Sequence, residues 1–156
     1  MDNNSTSREL TQVPQLELVY RTTIPAHLRP SAQNHEEAFP LFVKNWDEGK
    51  IDFVEQFKVM LLDTHHRVIG IVTLSTGHAK ATLVEIKHVL AAAILGNAES
   101  IILAHNHPSG QLDPSSSDQC VTKEIADALW LLGINLLDHL IITRYGYFSF
   151  RLGGLL

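Results

Sequence analysis

Read for apolar periodicity, the chain alternates between runs that repeat every two residues or not at all and runs that repeat every three to four. Residues 1 to about 14 are polar and bury nothing, so they are expected as a disordered tail. LELVYRTTI, Leu16 to Ile24, is rich in β-formers and predicts a first strand at a sheet edge. Pro25 and Pro30 then interrupt the chain. Ala32 to Gly49 carries Ala38, Leu41, Phe42 and Trp46 near one helical face, with Gly49 as a stop and Pro40 as a source of a kink. FKVMLLD and VIGIVTLST flank the polar THHR, which predicts a β-hairpin. Both runs are nearly continuous, so both faces of the sheet are expected to be covered.

The second half repeats this logic. Val84 to Ala98 predicts a helix with Val89, Leu90, Ala93 and Ile94 on one stripe and Gly96-Asn97 at its end. Ser100 to His105 is a short buried strand, and SSDQCVTKEIADALWLLG is a second strong helix closed by Gly133. INLLDHLIIT is a further buried strand, Tyr145-Gly146 a turn, and YFSFRL a last short strand. The expectation is an α/β fold: one domain over 15–156, a mixed β-sheet flanked by helices in two or three layers.

Composition narrows the function classes. The chain has 156 residues, 45% hydrophobic and 19% charged, ordinary for a globular domain. A net charge of −5 argues against a nucleic-acid grip built on bulk positive charge. One cysteine, Cys120, rules out an internal disulfide framework and an all-cysteine zinc site. There is no signal-peptide pattern and no apolar run long enough to cross a bilayer, so a cytoplasmic protein is expected. Nothing in the sequence specifies the oligomeric state.

The segment HNHPSGQLDPSSSD, His105 to Asp118, concentrates the chemistry. In extended chain, residues two apart point to the same side, so His105 and His107 can aim two imidazoles at one point. Pro108 and Gly110 turn the chain, and Asp118 falls in the first turn of the next helix. Two histidines and a carboxylate, with one position open for water, form a recognised catalytic zinc set. The same Ser115 and Asp118 also fit a helix-capping box, and the two readings can coexist. The letters HNH are contiguous here, unlike the dispersed residues of the nucleases of that name. The zinc deaminase pattern is absent, since it needs His-x-Glu and a Cys pair.

His-x-His, seven residues, Ser, two residues, Asp matches the JAMM signature, and the chain resembles the JAB/MPN metallopeptidase superfamily. IILAHNHPSG, LLGINLLDHLII, FKVMLLDTHHRVIG and the terminal GLL resemble its RadC-like branch in particular, over about residues 50–156. The resemblance implies a cytidine-deaminase-like sheet architecture. It implies the stand-alone form, because the chain is too short for the helix-hairpin-helix region of longer RadC proteins. It implies one Zn2+ per chain held by His105, His107 and Asp118, with Ser115 stabilising an oxyanion. It also implies a glutamate upstream that handles the proton of the zinc water. Glu55, directly before the apolar strand, is the choice, and Glu85 the runner-up with a structural role at a helix start. Many RadC-like sequences carry an acid in the second hairpin strand, where this chain has Val72 and Thr73. The implied activity is that of a zinc metallopeptidase or isopeptidase acting on a peptide or protein. The alternative is a catalytically silent metal-binding module linked to DNA repair or mobile-element proteins.

Other polar positions have plainer readings. Asp138-His139 is expected as a buried hydrogen-bonded pair, with the alternative of orienting a zinc-binding histidine. His65 and His66 are expected to be solvated in the hairpin turn, Cys120 to be a buried packing residue, and Asn106 to hydrogen-bond within its own loop. His78 and His88 have no assigned partner.

Overall fold

The computed structural model describes residues 19–77 and 84–156. The hairpin forms as the pattern predicts: β1 (Glu55–Leu62) pairs antiparallel with β2 (Val68–Gly77). Asp63 organises its turn by accepting the backbone N–H groups of His65 (2.8 Å) and Arg67 (3.0 Å). β1 pairs antiparallel on its other side with β3 (Ser100–Asn106), which pairs parallel with β4 (Asn135–Thr143). β5 (Gly146–Ser149) closes the sheet, in the order β2-β1-β3-β4-β5.

Three helices cover the sheet, and two apolar clusters show that both faces are packed. On one face, Ala38 and Phe42 of α1 (His35–Lys44) meet Met60, Leu62, Ile102, Leu140 and Ile142. On the other, Val89 and Ala93 of α2 (Ile86–Leu95) and Ile125 and Leu129 of α3 (Ser116–Trp130) meet Val59, Leu61, Ile101 and Leu103. The result is a three-layer α/β domain with a mixed sheet. β1 and β3 lie inside the sheet with a helix on each side, which is why their apolar runs do not alternate.

Local chemistry sets the helix limits. α1 begins at His35 because the Asn34 side chain accepts the Glu37 N–H at 3.0 Å. Pro40 lies inside this helix, and Trp46 and Gly49 fall beyond its end. Trp46 is nonetheless buried, edge-on to Phe42. At the end of α2, Gly96 has ordinary helical backbone angles and sits close against Leu61. A Cβ there would lie 2.6 Å from Leu61 Cδ1, and Asn97 takes the positive φ of 48°.

The predicted first strand is not present in the described part of Leu16–Ile24. Residues 19–24 belong to no regular element, and residues 16–18 lie outside the described residues. β-forming side chains did not suffice in residues 19–24, where Val19, Tyr20 and Ile24 are all only about half buried. It is tied to the sheet through a side chain, with Tyr20 Oη donating to the Ile69 carbonyl at 2.7 Å. The expected disordered tail, residues 1–14, also lies outside the described residues, as does His78. Among the described residues no helix is long and apolar enough to cross a membrane.

The fully buried Phe42 anchors α1 to the sheet. Phe42→Ala is expected to cost about 3–5 kcal/mol in denaturant unfolding. A loss below about 1 kcal/mol would show that α1 is not part of the cooperative core.

Candidate metal centre

β3 ends in His105 and Asn106, and Gly110 then reverses the chain at φ 79° with its N–H bonded to the His107 carbonyl (3.0 Å). Beyond the loop, α3 starts at a complete capping box. Ser115 Oγ accepts the Asp118 N–H (3.1 Å), and Asp118 Oδ2 accepts the Ser115 N–H (2.8 Å). Because β3, α3 and β4 form a parallel crossover, the first turn of α3 lies over the carboxyl end of β3. That is where ligand sites form in sheets of this kind.

The three sequence-predicted ligands converge there. His105 Nε2 and His107 Nε2 are 3.0 Å apart, and the Asp118 carboxylate oxygens lie 3.5 Å from the first and 3.8 Å from the second. One ligand atom from each falls within 4.8 Å of the others. His107 Nδ1–H donates to the Gln111 carbonyl (2.9 Å), which leaves Nε2 as the ring's lone-pair nitrogen, facing inward. Two imidazoles and a carboxylate directed at one point fit a divalent transition metal such as zinc. His105 is almost fully buried, whereas His107 and Asp118 each keep 16% of their side-chain surface, so the centre is reached from solvent on one side. Burial pushes the Asp118 carboxyl up, but its surroundings, which include the hydroxyl and backbone N–H of Ser115, prevail and hold it below the usual carboxylate range.

Around these three, some expectations hold and others change. Glu55 opens β1, half-buried, two residues before Phe57. Phe57 pairs with His105 across the ladder and stacks parallel to its ring, with the planes 6° apart. Strand alternation places Glu55 on the same sheet face as Phe57 and His105. Glu85 is the exposed N-cap residue of α2, ion-paired to Lys87 at 2.5 Å. Ser115 donates its hydroxyl hydrogen to Asp118 Oδ2 (2.6 Å), so here it positions that carboxylate.

Asp138 and His139 share one bond, from the His139 N–H to Asp138 Oδ1 (2.8 Å), but their side chains serve different sites. Asp138 accepts from Ser149 Oγ (2.6 Å) and the Arg151 N–H (3.0 Å). His139 is fully buried and its Nε2 lies 2.8 Å from His105 Nδ1. Burial first, and the neighbouring His105 second, push its pKa well below the ordinary histidine value. On its far side, His139 Nδ1 lies 2.6 Å from Thr122 Oγ1. Thr122 was not among the residues expected from the sequence. Its position one helical turn beyond Asp118 is the signal that points to it.

Asn106 does not bond within its own loop. Its side chain accepts the Gln56 N–H (2.7 Å) and donates to the carbonyls of Ile51 (2.7 Å) and Val54 (2.8 Å). It thereby fastens the segment that leads into Glu55. Cys120 is exposed, not buried, because it lies off the stripe of Thr122, Ile125 and Leu129 that faces the sheet. Its thiol points along the helix to Glu124. His65 is exposed as expected, but His66 is half-buried, in a turn with φ 56°. His88 is exposed. A cavity of about 350 Å³ lies away from this centre, lined by Arg29, Asn45, Lys58 and Thr73 among others.

Comparison with known proteins shows the family. The family model for the RadC-like JAB domain matches residues 24–155, so the chain belongs to that family. A UPF0758 protein of Thermotoga maritima is 35% identical over 97% of this chain and 72% of its own length. UPF0758 proteins of Symbiobacterium thermophilum and Rubrobacter xylanophilus are each 44% identical, over 66% and 65% of this chain. The match spans 44% of each of those two relatives, less than half their length.

Ser115→Ala removes the cap. In the metal-free protein it is expected to cost about 1 kcal/mol in denaturant unfolding. An unchanged midpoint would show that the capping box does not hold the start of α3.

Proposed function

We propose that this domain is a zinc-dependent hydrolase of peptide or isopeptide bonds. The reading rests on one observation above the rest: His105 Nε2, His107 Nε2 and the Asp118 carboxylate meet at a solvent-reachable point. These three bind the metal, one per chain. A zinc ion held there supplies a Lewis acid and lowers the pKa of a coordinated water to about 7.

The remaining work falls to the chain. Glu55, on the same sheet face as His105, takes a proton from the attacking water and returns it to the departing amine. Asn106 keeps the entry to β1 in register with the histidine loop, which fixes where Glu55 stands. Phe57 lies beside His105 across the ladder, its ring parallel at 6.2 Å between centroids. Ser115 first secures Asp118. Rotation of its single O–H towards the substrate would let it steady the oxyanion as charge develops on the carbonyl oxygen. The substrate is a peptide or protein, and the net charge of −5 gives no support to a nucleic acid.

The test is zinc analysis together with a cleavage screen over linear peptides and side-chain amides. Wild type is expected to hold one zinc per chain and to turn over. Glu55→Gln is expected to keep the zinc and lose about 100-fold or more in kcat. Equal turnover by the two proteins would remove Glu55 from the mechanism. Zinc binding with no turnover by wild type on any substrate would favour a metal-stabilised binding module.

A further inference from the structure

The hydrogen bonds behind the metal centre form a chain whose direction can be worked out one proton at a time. Thr122 Oγ1 lies 2.5 Å from the Asp118 carbonyl oxygen, one turn back along α3. A carbonyl only accepts, so the threonine's single O–H is committed to it. Towards His139 Nδ1, 2.6 Å away, the threonine oxygen can then only accept. His139 Nδ1 must therefore carry a hydrogen. His139 is fully buried, with a second imidazole in contact and no carboxylate bonded to its ring among the described residues, so the ring is neutral and carries just that one. Its Nε2 is bare and accepts from His105 Nδ1, 2.8 Å away. The hydrogen of His105 thus sits on Nδ1, and the lone pair of Nε2 faces His107 and Asp118.

We propose that Thr122 and His139 are positioning residues that set the tautomer of His105 and so make it a metal ligand. This rests on the reading of the centre as a metal site. Asp118 takes part twice. Its carboxylate is a ligand, and its backbone carbonyl is the far end of the relay that orients another ligand. Phe150 stacks on His139 at 4.6 Å between centroids, and Phe57 meets it edge-on at 5.4 Å, so the ring cannot swing out of line.

The relay makes a prediction that simple packing does not. Without the threonine oxygen, the Nδ1–H of His139 has no acceptor there. The other tautomer of His139 puts the hydrogen on Nε2, facing His105. His105 must then bare Nδ1 and carry its hydrogen on Nε2, where the metal would bind. Thr122→Val, nearly the same shape, is thus expected to weaken zinc binding about 10- to 100-fold in chelator competition. Thr122→Ser, which keeps the hydroxyl, is expected to stay within about threefold of wild type. His139→Phe should fall with Thr122→Val.

The second readout needs neither metal nor turnover. In ¹⁵N-histidine spectra of the metal-free wild type at about pH 8, where imidazoles are ordinarily neutral, His139 should be protonated at Nδ1. A coupling across the hydrogen bond should link it to His105, with Nδ1 of His105 as the covalent donor. Wild-type zinc affinity in Thr122→Val, or a His139 that carries its hydrogen on Nε2, would overturn the proposal. If wild type binds no zinc, the metal-site reading fails, while the spectra still decide the tautomers. If Thr122→Val does not fold, the wild-type spectra decide alone.

Discussion

The parallel crossover from β3 through α3 to β4 is the constraint on which the rest depends. It carries the chain from the end of one buried strand, over one face of the sheet, to the start of the strand beside it. The beginning of the helix must then lie over the end of β3, and residues distant along the loop meet in space. Imidazoles at the strand end and a carboxylate in the first helical turn become neighbours because the sheet is parallel at this point. The apolar cluster of Ile101, Leu103, Ile125 and Leu129 holds helix and strand together beneath them. The candidate centre therefore borrows its rigidity from the hydrophobic core.

Two kinds of support surround the candidate ligands, and each comes from an element that also has a structural role. The capping box satisfies helix N–H groups that any helix leaves over, and it also fixes Asp118. The stripe of α3 that packs on the sheet also carries Thr122 to His139. β4 contributes both to the core and to the site because its side chains alternate. His139 faces the metal centre, while Asp138 faces away and ties down Ser149 and Arg151.

Much of this was legible in the sequence. The hairpin, α2, α3 and the buried strands follow from the pattern of apolar runs, because their apolar residues are the ones packed in the two clusters. That His105, His107 and Asp118 come together was legible because their spacing is short and their residue types are few. What stayed hidden depends on contacts between distant parts of the chain. The described part of the β-rich segment before Pro25, residues 19–24, forms no strand, and its large side chains Val19, Tyr20 and Ile24 stay about half exposed. Asn106 looked like a loop residue, and its partners lie far upstream. Thr122 reads as an ordinary helical threonine until His139 is placed opposite. Cys120 looked apolar enough for the core, but a two-residue offset from the packed stripe turns it outward.

The reach of Asn106 sets a limit on how the chain can vary in length. Its amide grips Ile51, Val54 and Gln56 at once, so these residues behave as a fixed ruler laid against the histidine strand. An extra residue within that stretch would displace at least one of the three bonds and push Glu55 out of step. Ahead of Ile51 a different tie takes over, from the Arg144 guanidinium to the Glu48 carbonyl (3.2 Å), and it touches no residue of the histidine strand.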